Sequence, residues 1–376
     1  MSDAPEGDVT LAVDGANLAH DRRGMGRLAR GVLRAVAERG DVAVVLLADR
    51  RAHRRALAEE FPYPVAATAT AARAGRYDVV WYPFNGMRYR AAAPALVSVH
   101  DAFAFTAAHR EPIARWREQR PIRRAARTAT RLLTISTWAR DELVRTLGVS
   151  VERIAVIHPS PDPFWFPADG DALPPGIAGS RYALFVGPGE ARKNVRLAIE
   201  ACARALRAPD ELLVIAGTLA PRDRTFARTL GLRAGEIDAS DATLRALYRN
   251  AEVVLVPSLA EGFGLVAIEA MACGAAVIAA DATALPEATG GAALLLDPHD
   301  PRLWAGSVRA LFDEPQRLAA LRERAATRFA FADRTAYGRA TLALLRDLAR
   351  RGGSRPSPND IVDQRRETAL KWFGTE

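Results

Sequence analysis

Residues 252–280, EVVLVPSLAEGFGLVAIEAMACGAAVIAA, decide how the chain folds. The run EVVLVPS is aliphatic at successive positions, as a strand covered on both faces of a parallel sheet must be. The loop LAEGFG follows, then LVAIEAMAC with the character of a helix, stopped by Gly274 where glycine commonly follows one. AAVIAA then returns as a second apolar strand, so the stretch reads as one β–α–β unit. Two carboxylates, Glu261 and Glu269, interrupt this apolar surrounding. A buried carboxylate is costly unless something pairs with it. The stretch is therefore a packing helix with one satisfied acid, or part of a site for a polar ligand.

The same alternation runs through the chain. Apolar strands are expected at residues 9–13, 42–48, 77–82, 95–100, 131–136 and 154–158, and again at 181–187, 211–217, 252–258, 275–280 and 292–297, with helical patterns between them. Between the two sets lies HPSPDPFWFPADGDALPPGIAGS, where proline and glycine leave no periodicity. These patterns predict an α/β protein of two domains with parallel sheets: residues 1–165, a linker over 166–180, and residues 181–335. A helix over 336–350 and a flexible tail over 351–376 end the chain. In such folds the ligand sits beyond the carboxyl ends of the strands.

The 376 residues are 49% hydrophobic and 26% charged, an ordinary globular balance. The net charge of +8 is carried almost wholly by arginine, since lysine occurs only at 193 and 371. A basic chain suits nucleic acid, anionic lipid or phosphorylated substrates. No nucleic-acid module is visible, which leaves phosphate and membrane. Cys202 and Cys273 fall in apolar helical patterns and suit packing in a reducing compartment. The first residues carry acids where a signal peptide needs bases, and no run approaches the length of a membrane span. A cytoplasmic protein is expected, with peripheral contact at the inner membrane face still open. For such contact the segment at 110–131, REPIARWREQRPIRRAARTATR, offers arginines around Ile113, Trp116 and Ile122. Pro121 is expected to break its periodicity.

Two further stretches carry chemistry. After the strand RYALFVG come a glycine turn and then Arg192, Lys193 and Asn194 at the start of a helix. Glycine turn, cations and helix N-terminus together favour an anion, because backbone N–H groups and the helix dipole add to the side-chain charge. The alternative is an exposed turn with two solvated bases. In the opening stretch, Gly262 and Gly264 would let the backbone approach a ligand, leaving N–H groups near Phe263, Leu265 and Val266 for a second phosphate oxygen. Glu269, more than a turn further in, suits the paired hydroxyls of a ribose, and Glu261 the ligand's other end, beyond the phosphates.

The glutamate pair in EGFGLVAIEAMACGAAVIA resembles the signature of glycosyltransferase family 4, retaining enzymes of the GT-B fold. The resemblance continues in GPGEARKNVRLAIEA, LYRNAEVVLVPS and LPEATGGAALLLDPHDP, and in the first half in GMGRLARGVLRAV, SVHDAF and LLTISTWARDELVRTLGV. It implies two Rossmann-like domains facing a cleft, with the C-terminal helix crossing back to the first. It implies transfer of a hexosyl group, mannosyl-type favoured, from a nucleoside diphosphate sugar to a hydroxyl of a polysaccharide, lipid-linked or small-molecule acceptor, with no metal or other cofactor. By the same resemblance Arg192 and Lys193 bind the diphosphate with the backbone of Gly264, Leu265 and Val266. Glu261, Gly262 and Phe263 lie by the donor sugar, and Glu269 binds the ribose.

In the first half, His100 and Asp101 follow a buried strand, and a histidine there in the family implies contact with donor sugar or leaving group. Gly24, Gly26 and Arg27, in a loop comparable to the family's glycine loop, would approach phosphates or acceptor. His20 and Asp21 are acceptor candidates. The chain departs from the family pattern at Leu28, where tyrosine is common, at Ala191, where proline is common, and at HPSPDPFW, where an Asn-Gly pair is common.

Three other readings compete. GMGRLA matches a dinucleotide fingerprint with Asp49 after the next strand, which would suit an NAD-dependent oxidoreductase. That reading leaves both glutamates and both cations without a role. Metal-dependent transfer would need Asp-x-Asp after a buried strand, and the only such triplet, Asp169-Gly170-Asp171, lies in the linker. A degenerate member would bind a nucleotide sugar and do no chemistry.

Overall fold

The computed structural model describes residues 9–22, 24–68, 77–106, 111–166, 171–330 and 332–352. The tail from 353 on, with its amphipathic piece at 361–373, lies outside the described residues, as do Asp169 and Gly170.

The chain divides into two units. The first contains a seven-stranded parallel sheet in the order β3-β2-β1-β4-β5-β6-β7. Its strands are β1 (Val9–Asp14), β2 (Val42–Leu47), β3 (Val65–Ala66), β4 (Val79–Tyr82), β5 (Ala95–Ser98), β6 (Arg131–Thr134) and β7 (Ile154–Val156). The helices among them are α1 (Gly24–Arg39), α2 (Arg51–Glu60), α3 (Phe103–Thr106), α4 (Pro112–Thr128) and α5 (Thr137–Leu147), of which residues 135–142 at the start of α5 are grouped with the second unit. β4 and β5 are buried at every position, which is why they read as continuous apolar runs. α4 runs unbroken through Pro121. The loop at Gly86 lies against it there: a side chain at Gly86 would meet the Pro121 carbonyl carbon at 2.5 Å.

The second unit repeats the plan with six parallel strands in the order β10-β9-β8-β11-β12-β13. They are β8 (Arg181–Val186), β9 (Glu211–Ala216), β10 (Ala234–Ile237), β11 (Val253–Val256), β12 (Val277–Ala280) and β13 (Leu294–Leu296). Between and after them come α6 (Val195–Ala205), α7 (Pro221–Thr229), α8 (Asp241–Asn250), α9 (Leu265–Ala272), α10 (Leu285–Thr289), α11 (Pro301–Asp313) and α12 (Pro315–Ala330). α13 (Ala336–Gly352) belongs, from Tyr337 on, to the first unit. A side chain at Gly338 would come within 2.6 Å of the Gly31 carbonyl of α1, so glycine permits that close helix–helix approach.

Both sheets have the doubly wound order in which connections depart in opposite directions from a central pair: β1 and β4 in one, β8 and β11 in the other. The crevice beyond the carboxyl ends of such a pair is where this architecture receives ligands. Among the described residues no helix is long and apolar enough to cross a membrane.

Candidate functional site

The second unit brings Arg192, Lys193 and Glu261 together in the loops that follow β8 and β11, the pair at that switch point. β8 is followed by Gly187, whose φ of +129° suits glycine. A short 3-10 turn at Ala191–Lys193 then delivers both cations, and Asn194, left-handed at φ +54°, leads into α6. The turn is tied down at both ends: the Leu259 N–H donates to the Arg192 carbonyl at 2.9 Å, and Asn194 Nδ2 to the Pro298 carbonyl at 3.0 Å.

From the loop after β11, Glu261 reaches these cations. Lys193 Nζ lies 2.7 Å from Glu261 Oε1, and Arg192 Nη1 lies 3.2 Å from Glu261 Oε2 and 2.8 Å from the Ala260 carbonyl. This answers the question raised by the buried acid. Burial would raise the Glu261 pKa, but the charges of Lys193 and Arg192 and hydrogen bonds from Lys193 and Ser258 outweigh it and hold the carboxyl below its usual range. The sequence places Glu261 at the ligand's other end and does not show this pairing: in the structure Glu261 is the counter-ion of both cations. The backbone N–H of Glu261 donates to Thr283 Oγ1 at 3.0 Å, and Thr283 has φ +53°. A β-branched residue in the left-handed region is strained and persists only where its surroundings hold it.

Gly264, at φ +114°, starts α9 and offers no capping side chain. A Cβ there would meet Leu285 Cδ2 at 2.6 Å, so glycine is required by space as well as by conformation. The first N–H groups of α9, at Leu265 and Val266, have no intrahelical acceptor, as at any helix start, and face the dipole's positive end. Glu269 is buried one turn on. Its charge, after burial, helps push the Cys273 thiol up to about 12. The Gly262 carbonyl accepts from Ser136 Oγ at 2.7 Å, and the Phe263 ring stacks on His158 with centroids 5.7 Å apart. His158 in turn lies 2.6 Å from Glu287, whose carboxylate also accepts the Thr137 N–H at 2.8 Å.

In the first unit His100 is buried, and its Nε2 lies 3.0 Å from the Pro83 carbonyl. A carbonyl only accepts, so Nε2 carries the proton and Nδ1 keeps a lone pair. Nδ1 has no hydrogen-bond partner. Burial lowers the His100 pKa and keeps the ring neutral. Asp101 accepts the Phe103 N–H at 3.1 Å at the start of α3 and Asn85 Nδ2 at 3.3 Å, while Asn85 Oδ1 takes the His100 N–H at 2.7 Å. Asp101 thus holds the turn around His100.

Of the glycine loop, Gly24 begins α1 and Arg27 is half-buried on it. Gly26 has a structural reason, since a Cβ would stand 2.0 Å from the Asp21 carbonyl. That loop is pinned by Arg30, which donates to the Asp21 carbonyl at 2.6 Å and the Leu18 carbonyl at 2.8 Å and pairs with Glu60 at 2.6 Å. His20 is exposed, its ring 5.3 Å from that of His53. Gly26 of the supposed dinucleotide fingerprint therefore serves a helix–loop approach.

Two families match this chain: Glycosyltransferase Family 4 over residues 22–163, and Glycosyl transferases group 1 over residues 175–328. The chain belongs to the family 4 type of glycosyltransferases. Among curated relatives of this family 4 chain, O-antigen chain mannosyltransferase B of Escherichia coli is 30% identical over 223 residues, 55% of this chain and 58% of that protein. D-inositol 3-phosphate glycosyltransferase 1 of Catenulispora acidiphila is 34% identical over 215 residues, 52% and 51% of the two chains. The chain thus spans a little over half the length of these relatives. Among solved structures, WaaG, a glycosyltransferase involved in lipopolysaccharide biosynthesis, superposes with a TM-score of 0.71 at 17% identity, covering 90% of this chain and 99% of that one. Anabaena HepE in complex with UDP and glucose gives 0.70 at 19%, covering 90% and 100%. At such identities the likeness shows the fold, two Rossmann-like α/β domains of the GT-B type.

Within this family 4 fold, sequence reasoning missed Ser258, Thr283, Arg30 and His158. Nothing in the residue string signals a threonine in the left-handed region or an arginine donating to loop carbonyls. His158, at a strand end, had the same positional signal as His100.

Proposed function

We propose that the protein is a retaining glycosyltransferase that moves a hexosyl group, mannosyl-type favoured, from a nucleoside diphosphate sugar to a hydroxyl of a polysaccharide, lipid-linked or small-molecule acceptor. The observation that carries this reading is the cluster of Arg192, Lys193 and Glu261 beside the uncapped start of α9, at the switch point of the second sheet. Two fixed cations and free helix N–H groups suit a diphosphate, and a diphosphate is the leaving group of this chemistry. The relatives named above, a mannosyltransferase and an inositol phosphate glycosyltransferase, support the reaction class.

In the proposed step the bond between the sugar's anomeric carbon and the diphosphate oxygen breaks. The acceptor oxygen bonds to the same face, and its proton passes to the departing phosphate. Arg192, Lys193 and the α9 N-terminus stabilise the charge that develops on the leaving group, so a metal is not called for. Glu269 takes the ribose hydroxyls. Glu261 holds the cations in place and lies by the sugar with Gly262 and Phe263. His100, neutral with its Nδ1 lone pair open, accepts a hydrogen bond from a donor-sugar hydroxyl.

Calorimetric titration in EDTA with UDP, GDP, dTDP and NAD tests the reading. Binding of one nucleoside diphosphate, lost in Lys193→Ala, is the expected result and selects the donor series for an acceptor screen. Binding of NAD alone would overturn it.

A further inference from the structure

The loop after β11 sets one aromatic side chain between two glycines, in the order Glu261, Gly262, Phe263, Gly264. Glycine gives a chain more freedom than any other residue, so local preference does not fix a ring in that setting. Phe263 is nevertheless buried. Contacts from outside the loop hold it.

On one side, Ser136 Oγ donates to the Gly262 carbonyl at 2.7 Å while accepting the Ala139 N–H at 3.0 Å, so the first turn of α5 fixes its direction. On the other side, Gly264 lies close against Leu285 of α10. The ring itself is met by His158, with planes 21° apart and centroids 5.7 Å apart. His158 is exposed and would turn freely without a partner. Its Nε2 lies 2.6 Å from Glu287 Oε1. Glu287, on α10, also accepts the Thr137 N–H at 2.8 Å and the Trp138 N–H at 3.3 Å. Burial would raise the Glu287 pKa, but these hydrogen bonds and the one from His158 outweigh it and hold the carboxyl below its usual range. A carboxylate only accepts, so His158 Nε2 carries the proton. A surface ion pair contributes little by itself. Here the acid is anchored to the start of α5 and the imidazole lies on Phe263, so the pair ties a loose loop to a fixed helix end. All of these residues belong to the second unit.

We propose that His158, oriented by Glu287, is a positioning residue for the donor sugar. It acts through Phe263, holding that ring and the backbone beside it as one wall of the place where the sugar binds. This rests on the reading that Gly262 and Phe263 lie by the donor sugar. The cations proposed for the diphosphate are tied down separately, by the Leu259 N–H on the Arg192 carbonyl and by Asn194 on the Pro298 carbonyl. Loosening Phe263 therefore leaves the diphosphate's partners in place and disturbs only the sugar's. The effect is selective: the sugar's share of the binding is lost and the nucleoside diphosphate's share is kept. His158 opens HPSPDPFW, where the chain departs from the family pattern, so this anchor belongs to this chain's own sequence.

Calorimetry on the full chain with GDP and GDP-mannose, and with UDP and UDP-glucose, tests it. The variants are His158→Ala, His158→Phe, Phe263→Leu and the double substitution His158→Ala with Phe263→Leu. Because His158 is exposed, its replacement spares the core, and thermal unfolding checks that each variant is folded. His158→Ala is expected to bind the nucleoside diphosphate within about twofold of the parent and the nucleotide sugar about tenfold more weakly. His158→Phe keeps a ring against Phe263 and should recover most of that loss. Adding His158→Ala to Phe263→Leu should cost little beyond Phe263→Leu alone, since the first acts through the second. Unchanged nucleotide-sugar affinity in His158→Ala overturns the inference. So does an equal loss for nucleoside diphosphate and nucleotide sugar, which marks a merely structural part, or full additivity of the two substitutions. A parent that binds none of the four ligands is a different result: it overturns the donor-site reading, and the inference falls with it.

Discussion

Glu261 shows how one residue's environment sets its part. Its carboxylate neutralises half of the charge of Arg192 and Lys193 and fixes where both point. Glu261→Gln keeps the shape and removes the charge, which leaves the cations more positive. Nucleoside diphosphate affinity should then stay level or rise, while turnover falls by about 10²-fold or more because the cations are no longer held in place; titration and rate measurement on the same variant check the split. Asp14, at the carboxyl end of β1, offers a second test. Burial pushes its pKa up from 3.8 to about 6, with the Ala16 N–H and Arg88 opposing and Asp49 adding. The folded state therefore holds this proton more tightly than the unfolded one. Stability from this group is full below pH 3.8 and is lost as pH rises through about 6. Asp14→Asn should stabilise the protein by about 3 kcal/mol near neutral pH, an advantage that shrinks as the pH falls toward 3.8; urea unfolding across that range reads it. Both residues were legible as candidates or strand ends, but their partners were not. Ion pairing between a loop after β8 and a loop after β11 is set by the sheet order, which no local pattern carries.

At the scale of elements, the central strands were readable because both their faces are buried. The strands that went unread, β3 and β10, are the outermost of their sheets. β10 is AGEI, alternating exposed and half-buried, and so lacks the apolar run that marks its neighbours. α4 was expected to break at Pro121 and does not; the loop through Gly86 and Met87 packs against the helix there, with the Met87 N–H on the Pro121 carbonyl, a contact that no local pattern carries. The glycines after β8 and β9 are a matched pair. Gly217 has φ +147°, and a Cβ on it would stand 2.3 Å from the Gly187 carbonyl. Gly217→Ala would force the ends of β8 and β9 apart and move the turn that carries Arg192 and Lys193. A loss of about 2–4 kcal/mol is expected from strain and clash together, with weaker nucleotide binding in the folded fraction; chemical denaturation and calorimetry on one preparation test both.

At the scale of the whole molecule, the chain passes between units at more places than one linker would need. Residues 135–142 and 158–336 form the second unit, and residues 143–157 and those from 337 on belong to the first. The proline-rich stretch from 158 to 180 reads in the sequence as a linker or domain junction, with the first domain ending at 165. Its described residues from His158 on are grouped with the second unit. Trp165 is buried against Tyr248, with ring centroids 5.7 Å apart, and its carbonyl accepts from Cys273 Sγ at 2.9 Å. Asp171 pairs with Arg245 at 2.9 Å, and Arg245 also donates to the Phe164 carbonyl at 2.7 Å. Periodicity could not show this, because a segment that covers a core by isolated anchors has no repeat. Removing those anchors should therefore cost what a buried aromatic costs, about 3–5 kcal/mol. A fragment of residues 158–336 is expected to be more stable by that amount than one of 181–336, although both lack residues 135–142 of the second unit. Equal stability of the two fragments would mean that Trp165 and Asp171 contribute nothing to the second unit, and the boundary would return to the proline-rich stretch itself.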